Sequence, residues 1–302
     1  MNNFVFYNPV KVLFGAGMIE KLTKEIPAKA KVMILYGGGS IKKNGVYDQV
    51  IAALEGHSFI EFSGIEPNPE YTTLMKAVDE IRKNNVDFLL AVGGGSVIDG
   101  VKFISAAVNF EGDDAWEILS KRKKFTNTIP FGTVLTLPAT GSEMNPNSVI
   151  SRKEIKEKLA FGHPSLYPKF SILDPHVVAS LPKKQIRNGI IDAFVHVIEQ
   201  YLTIPMNAEI QDRWAEAVLS ALIETGPKVI NEPDNYHHAA NLMWEATNAL
   251  NGIINMGVLE DWSTHMIGHE LTAIHGLDHA ETLAIVLPGV MNEMRLDRKS
   301  VV

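Results

Sequence analysis

The first half of the chain alternates short apolar or β-branched runs with amphipathic stretches. Three of these runs have the length of strands buried on both faces of a parallel sheet. They are KVMILY (31–36), DFLLAV (87–92) and GTVLTL (132–137). Residues 69–86 repeat their apolar positions every three or four residues, which is the period of an amphipathic helix. The pattern therefore predicts a βαβ unit, in which this helix crosses between the first two strands.

From about Leu181 the pattern changes to long helical periodicity, as in IIDAFVHVIEQYL (190–202). Residues 225–237 contain Gly, Pro and Asn and predict a turn between helices. We predict an α/β, Rossmann-like dinucleotide-binding domain over residues 1–180 and an all-α domain over residues 181–302.

Composition and charge narrow the classes of protein that this pattern allows. The 302 residues are 46% hydrophobic and 21% charged, with a net charge of −7, which is typical of a folded globular protein and argues against nucleic-acid binding. The absence of cysteine excludes disulfides, thiolate nucleophiles and Cys-ligated metals, so any metal must be bound by His, Asp or Glu. Without a signal-peptide pattern or an 18-residue apolar run, we expect a soluble, cytoplasmic protein with no membrane partner.

Two of the predicted strands are each followed by a glycine-rich turn, and the two turns have the same sequence. The first turn is Gly37, Gly38, Gly39 and Ser40, and the second is Gly93, Gly94, Gly95 and Ser96. Such turns let backbone N–H groups approach a phosphate, and the N-terminus of a following helix favours its negative charge. A single turn of this kind is as consistent with a simple tight turn as with a phosphate site. Two turns at the ends of parallel strands favour a dinucleotide.

The first turn also bears on the choice of coenzyme. A carboxylate after this strand would hydrogen-bond a ribose 2′-hydroxyl and repel a 2′-phosphate. The sequence instead has small donors there, followed by Lys42 and Lys43. We therefore predict NADP(H), with NAD still possible. The alternative for the two lysines is a solvated helix start.

Four of the ten histidines fall within fifteen residues, at His265, His269, His275 and His279. His265 and His269 are four residues apart and would share a helix face. A turn through Gly276 would then bring His279 back to the same region.

Asp192 and His196 are also four residues apart, within the apolar run of residues 190–202. A buried carboxylate and imidazole are costly unless they are paired or bound to a metal. One Asp and three His would make a site for Fe²⁺ or Zn²⁺. The order His265-Met-Ile-Gly-His269-Glu270 is not H-E-x-x-H, which argues against a zincin protease. Spacing alone leaves open which clustered histidines are ligands.

Four motifs together resemble the iron-activated (group III) alcohol dehydrogenases, in their butanol dehydrogenase and NADPH-dependent aldehyde reductase branch. The motifs are GGGSVID (93–99), TLPATGSE (136–143), DAFVHVIEQY (192–201) and HMIGHELTAIHGLDHA (265–280). The resemblance implies a dehydroquinate synthase-like architecture with the active site in the cleft between the two domains. It also implies hydride transfer between NADP(H) and a small aldehyde or alcohol such as butanal or butanol, and a homodimer.

The resemblance assigns roles residue by residue. The metal ligands that it implies are Asp192, His196, His265 and His279. His269 lies beside the nicotinamide and the substrate, as a proton relay or a substrate-orienting group. The implied cofactor residues are Gly37, Gly38, Gly39 and Ser40 at the adenosine end, then Gly94, Gly95, Ser96 and Asp99 at the pyrophosphate, with Thr136, Thr140, Ser142 and Lys158.

Members of this family continue for a further helical region, so we expect a chain that is truncated relative to them. Two other functions therefore stay open from the sequence. One is a non-catalytic binder of nucleotide or metal. The other is a lyase similar to dehydroquinate synthase, which needs basic residues for a phosphate-bearing substrate and regenerates its coenzyme.

Overall fold

The computed structural model describes residues 1–296 and divides into two compact units. The α/β unit comprises residues 9–137 and 142–180, and the helical unit comprises residues 1–8, 138–141 and the chain from Leu181.

A six-stranded parallel sheet forms the centre of the α/β unit, in the order β1-β8-β5-β4-β2-β3. Its strands are β1 (Lys11–Phe14), β2 (Lys31–Tyr36), β3 (Ser58–Phe62), β4 (Phe88–Gly93), β5 (Phe131–Leu135) and β8 (Phe170–Leu173). The prediction of a parallel α/β fold is confirmed. The strands β2 and β4, which precede the two glycine-rich turns, are direct neighbours, so both turns lie at the same edge of the sheet.

Five α-helices accompany this sheet in the described chain. They are α1 (Leu22–Glu25), α2 (Val46–Ala53), α3 (Tyr71–Asn84), α4 (Gly95–Ala107) and α5 (Glu117–Ser120). The helix α3 lies inside the predicted range 69–86. It begins where the Glu70 carboxylate accepts a hydrogen bond from Thr72 N at 2.7 Å, and it ends at Asn85 in the left-handed conformation.

A two-stranded antiparallel hairpin, β6 (Asn147–Arg152) with β7 (Glu157–Gly162), completes the α/β unit. Our sequence analysis did not predict this hairpin. Its strands are half polar, and β6 packs against α4 whereas β7 packs against α5, which no local pattern shows.

Helices make up the described part of the helical unit beyond Leu181. They are α6 (Lys183–Tyr201), α7 (Glu209–Asn231), α8 (Tyr236–Ala249), α9 (Ser263–His275) and α10 (His279–Met294). The turn predicted over residues 225–237 is wrong at its start, because α7 continues through Pro227 to Asn231. Proline removes one helical hydrogen bond. The helix nevertheless continues here, where it packs closely on α6, since a Cβ on Gly226 would lie 3.2 Å from Ile190 of α6.

Two short segments differ from the predicted division at residue 180. Residues 1–8 group with the helical unit, where Asn2 N donates to Gly257 O at 2.8 Å and Asn8 Nδ2 donates to Asn251 O at 3.0 Å. Residues 138–141 group there too, with Gly141 close to Leu250. These contacts join residues that are far apart in the sequence, so the local pattern does not predict them.

No helix among the described residues is both long and apolar enough to span a bilayer.

Candidate functional site

Three helices of the helical unit place the carboxylate and the clustered histidines together. The helix α6 bears Asp192 and His196 one turn apart, and α9 bears His265. Gly276 ends α9 in the left-handed conformation, at φ 69°, and the chain then reverses so that His279 becomes the first residue of α10. The turn through Gly276 therefore brings His279 beside His265, with ring centroids 5.2 Å apart.

Distances around the Asp192 carboxylate match a metal coordination sphere. Its Oδ1 atom lies 3.7 Å from Nε2 of His265 and 3.5 Å from Nε2 of His279. One potential ligand atom from each of these three residues lies within 4.8 Å of the other two. Ligand bonds of roughly 2.1 Å to a tetrahedral ion would separate the ligand atoms by roughly 3.4 Å. The spacing is too long for hydrogen bonds and fits a divalent cation at the centre.

Unsatisfied buried atoms support the same interpretation. Oδ1 of Asp192, Nδ1 of His196 and Nε2 of His265 have no hydrogen-bond partner among the described residues. The three side chains are 4–6% exposed. Buried polar atoms without partners are costly, and a bound cation would satisfy them together. The residues present therefore fit the Fe²⁺ or Zn²⁺ ion that the sequence predicts.

The protonation states of the side chains at this site bear on whether it can bind a cation. Burial raises the pKa of the Asp192 carboxyl, but the surrounding imidazoles outweigh burial and hold that pKa below its usual range, so the carboxylate is ionised. Burial lowers the pKa of His196 to about 4, so its imidazole is neutral at pH 7. Burial lowers the pKa of His265, but Asp192 and Glu199 outweigh burial and raise that pKa, so a cation that binds this ring would displace a proton. An ionised carboxylate and neutral imidazoles are the forms that bind metals.

The predicted ligand His196 lies at the edge of this arrangement. Its Nδ1 atom is 3.7 Å from Oδ1 of Asp192, and its ring stacks on His265 at a centroid distance of 4.5 Å. It is not part of the set whose ligand atoms all lie within 4.8 Å of one another. Its role as a ligand stays a prediction.

The two remaining clustered histidines have different environments. His269 is buried, with its ring centroid 5.4 Å from that of His279, so it adjoins the candidate metal site. His275 is exposed and is the last residue of α9. His275 therefore lies apart from the other three clustered histidines, a distinction that the spacing in the sequence left open.

Glu199 is a residue of this site that the sequence analysis missed. Its carboxylate accepts a hydrogen bond from the His265 backbone N at 3.1 Å and also hydrogen-bonds Nδ1 of the same ring. With the proton on Nδ1, the lone pair of Nε2 faces Asp192 and His279. The available signal was spacing, because Glu199 lies seven residues after Asp192 on the same face of α6.

The second glycine-rich turn joins β4 to α4 with little space for side chains. A Cβ on Gly93 would lie 2.5 Å from a methyl group of Val97, and a Cβ on Gly94 would lie 3.0 Å from Leu137. The backbone N of Thr136 also donates to Gly93 O at 3.0 Å and holds this turn. The turn therefore presents backbone at the N-terminus of a 13-residue helix, which is a typical phosphate site.

Asn68, which the sequence analysis also missed, connects two of the predicted cofactor residues. Its backbone N donates to Oγ of Ser96 at 3.3 Å, and its Oδ1 accepts from Nζ of Lys158 at 2.8 Å. Asn68 has a left-handed backbone with φ 54°. The ammonium group of Lys158 is thus held near the start of α4, where it would complement a pyrophosphate. The Asn-Pro dipeptide at 68–69 was the only local signal.

Asp99 and Ser142, both predicted to contact the cofactor, contact each other in a buried network. Oδ1 of Asp99 accepts from Oγ of Ser142 at 2.6 Å, and Oδ2 accepts from the backbone N of Val149 at 2.9 Å. Nζ of Lys102 donates to Oγ of Ser142 at 2.6 Å and to Oδ1 of Asn145 at 3.2 Å. Burial lowers the pKa of Lys102 to about 8. Cofactor contacts of Asp99 and Ser142 stay predictions.

The other predicted cofactor residues divide between the two units. Gly37, Gly38, Gly39 and Ser40 follow β2 and lead into a short 3-10 helix, Ser40–Lys42. Thr140 belongs to the segment 138–141 of the helical unit, whereas Thr136 belongs to the α/β unit.

Comparison with known proteins extends over nearly the whole chain. The model of the family "Iron-containing alcohol dehydrogenase" matches residues 9–175, and that of the "Fe-containing alcohol dehydrogenase family, C-terminal" matches residues 186–299. The chain is 58% identical to the NADPH-dependent aldehyde reductase YqhD of Escherichia coli over 98% of its length and 77% of that protein. It is 47% identical to the probable NADH-dependent butanol dehydrogenase 1 of Bacillus subtilis, over 96% and 76% of the two chains.

Solved structures agree with the sequence comparison. The crystal structure of Escherichia coli YqhD matches with a TM-score of 0.97 and 57% identity, over 98% of this chain and 76% of that one. The NADH-dependent butanol dehydrogenase A of Thermotoga maritima matches with a TM-score of 0.94 and 42% identity, over 98% and 75%. With both halves matched by family models and a site built for a divalent cation, the chain belongs to the iron-containing alcohol dehydrogenase family.

Proposed function

We propose that this chain catalyses the reversible reduction of small aldehydes such as butanal to primary alcohols, with NADPH as the preferred reductant and Fe²⁺ or Zn²⁺ as the metal. The observation that carries the proposal is the convergence of Asp192, His265 and His279, whose ligand atoms lie within 4.8 Å of one another and include buried atoms without a hydrogen-bond partner. The similarity to an NADPH-dependent aldehyde reductase and to butanol dehydrogenases supports the reaction and the substrate class.

The reaction moves a hydride and a proton. Bound NADPH would supply the hydride to the carbonyl carbon, and a divalent cation held by Asp192, His265 and His279 would supply Lewis-acid chemistry for the carbonyl oxygen. Asp192 would bring one negative charge to the cation, and the imidazoles that bind it would do so in their neutral form. Glu199 fixes the ring of His265, so that its Nε2 lone pair keeps one direction through the reaction.

His269 is our candidate for the proton that the substrate oxygen receives. It is buried beside His279, and an imidazole exchanges protons near neutral pH. Its alternative role is a hydrogen bond that orients the substrate. In both roles it acts next to the ligands without being one.

Coenzyme binding is assigned to the α/β unit. The backbone of Gly94 and Gly95 and the N-terminus of α4 would receive the pyrophosphate, with Lys158 held nearby through Asn68. The first turn, with its small residues Gly38 and Ser40, would receive the adenosine end and tolerate a 2′-phosphate.

The first experiment measures metal content and turnover together. The chain is purified without chelator, its bound metal is quantified, and NADPH absorbance is followed with butanal under anaerobic Fe²⁺ or Zn²⁺ supplementation. We expect NADPH consumption that depends on the added metal and is equal in amount to the alcohol formed.

Other outcomes would identify the rival functions. Bound metal and nucleotide without turnover would favour the non-catalytic binder. Conversion of a phosphate-bearing substrate without net NADPH consumption would favour the lyase similar to dehydroquinate synthase. A homodimer, a cytoplasmic location and the absence of a nucleic-acid partner stay predictions of the sequence.

A further inference from the structure

A cluster of one carboxylate, one ammonium and two phenols lies beside the first glycine-rich turn. It comprises Tyr36, Lys42, Tyr47 and Glu61, and we call it the Glu61 cluster. Oε1 of Glu61 accepts from the Tyr47 hydroxyl at 2.7 Å, and Oε2 accepts from the Tyr36 hydroxyl at 2.8 Å. Nζ of Lys42 lies 3.5 Å from Oε2. Every member of the cluster belongs to the α/β unit.

The carboxylate reaches this place through strand pairing. No acidic residue follows β2 in the sequence, but the parallel register of β2 and β3 sets Glu61 opposite Ile34, on the same side of the sheet as Tyr36. Burial raises the pKa of Glu61, but the two phenols and Lys42 outweigh burial and lower it, so the carboxylate is ionised. The structure therefore has, next to the first glycine-rich turn, a negative charge that the sequence does not show there.

Lys42 lies against this charge in a defined position. Its Nζ atom is 4.5 Å from the ring centroid of Tyr47 and 5.2 Å from that of Tyr36, which places the ammonium over both rings. Lys42 belongs to the same 3-10 turn as Ser40, whose residues rise only about 2 Å each along the axis. The ammonium is thus anchored close to the glycine-rich turn, where it neutralises Glu61.

We propose that the Glu61 cluster sets the coenzyme selectivity, because Lys42 cancels the charge of Glu61 and so allows a 2′-phosphate at the first turn. A bare carboxylate at this edge of the sheet would repel the phosphate and favour NADH. The inference rests on the proposed function, since it takes the first turn as the adenosine subsite. It adds the residues that decide between the two coenzymes.

The test measures binding of two adenosine nucleotides, 2′,5′-ADP and 5′-ADP, to the full chain by titration calorimetry. Neither nucleotide undergoes redox chemistry, so the result does not depend on metal or turnover. The quantity compared is the ratio of the two dissociation constants, which isolates the 2′-phosphate. We expect K42M to reduce the preference for 2′,5′-ADP roughly fivefold and E61Q to increase it by about the same factor, since the two charges oppose each other and interactions of exposed charges are modest and screened.

The double variant K42M/E61Q separates charge cancellation from a direct contact of Lys42 with the phosphate. If Lys42 acts by cancelling Glu61, removing both charges returns the ratio to within about twofold of the unaltered chain. A double variant as poor as K42M alone would overturn the inference. The preference should also weaken with rising salt concentration in E61Q more than in the double variant.

Lys43 provides the matched control. It is the adjacent lysine and is exposed, and its ammonium forms no ion pair with a described residue. K43M removes the same charge but leaves the Glu61 cluster intact, so we expect less than about a twofold change in the ratio. A K43M effect as large as that of K42M would also overturn the inference, because net charge alone would then explain the selectivity.

Failure of the proposed function gives a different result. If the unaltered chain binds neither nucleotide, the dinucleotide site itself is wrong and the inference falls with it. If both nucleotides bind and K42M leaves their ratio unchanged, only the inference is wrong. Thermal unfolding of each variant shows whether a lost preference reflects lost folding, and binding of 5′-ADP serves as the internal check.

Discussion

In the described residues, both units contain a buried cluster built around an aspartate on a helix, and the two clusters differ in how their polar atoms are satisfied. The Asp99 network comprises Asp99, Lys102, Ser142, Asn145 and the backbone of Asn147 and Val149. In it, both carboxylate oxygens accept hydrogen bonds, and Nζ of Lys102 has three acceptors at 2.6–3.2 Å. The network is complete with protein atoms alone.

The Asp192 site comprises Asp192, His196, His265 and His279. Its nitrogen and oxygen atoms face one another at 3.5–3.7 Å, beyond hydrogen-bonding distance, and several have no partner among the described residues. Burial alone therefore does not mark a functional cluster. A functional cluster is indicated when buried polar atoms converge on one point and lack hydrogen-bond partners. Natural proteins rarely retain such costly unsatisfied atoms unless a ligand binds them.

Removal of one metal ligand should give the largest effect and break the Asp192 site alone. We expect H265A to weaken metal binding on the order of a thousandfold and to abolish turnover, since each ligand contributes a large share of the binding free energy. Metal content by elemental analysis and chelator competition measures the change.

Two histidines of the same helix serve as controls for this variant. H275A alters an exposed residue and should retain both metal and activity. H269A should retain metal and lose activity. Equal metal loss in H265A and H269A would contradict the ligand assignment.

Replacement of Lys102 by methionine tests the Asp99 network. K102M leaves Asp99 buried without its cation, so we expect the free energy of unfolding to fall by about 3 kcal/mol. Denaturant unfolding measures this change. The folded fraction should still bind metal as the unaltered chain does, and a loss of metal affinity at low temperature would show that the two clusters are not independent.

Metal addition should stabilise the Asp192 site without a comparable effect on the Asp99 network. At a free metal concentration of a hundred times Kd, the free energy of unfolding should rise by about 2.7 kcal/mol, because the ion binds only the folded state. Thermal unfolding of metal-stripped protein, with and without Zn²⁺, measures this rise. K102M should show the same increment, and a similar increment in H265A would mean that the ion binds elsewhere.

The pH dependence of stability should give the smallest effect, taken per pH unit, and the difference between the unaltered chain and K102M isolates the contribution of the Asp99 network. Burial lowers the pKa of Lys102 from 10.5 to about 8. Between these values the unfolded chain binds the proton and the folded chain does not, so stability rises with pH, by at most about 1.4 kcal/mol per pH unit. Unfolding of the unaltered chain and K102M from pH 8 to 10 should show this slope only in the former. Parallel curves would indicate that Lys102 keeps an ordinary pKa in the folded protein.

Local sequence patterns predicted much of this architecture. Apolar runs located β2, β4 and β5 to within a residue or two at either end, and helical spacing located α3, because both periods act over a few residues. The turn at Gly276 was also predictable, since a glycine in the left-handed conformation ends a helix and redirects the chain. Asp192 and His196 stood out as polar residues in an apolar helical run, and the histidine cluster stood out because four of the ten histidines fall within fifteen residues.

The sequence by itself determined the alternation of strands and helices, the two glycine-rich turns and the pool of candidate ligands. Tertiary structure decided which members of that pool meet: it set His275 apart, placed Glu199 on His265 and brought Glu61 to Lys42 across neighbouring strands. These outcomes depend on helix packing and strand register between residues far apart in the chain. Local periodicity reports which face of an element is buried, but the partner on the other side of that face is chosen only when the whole chain packs.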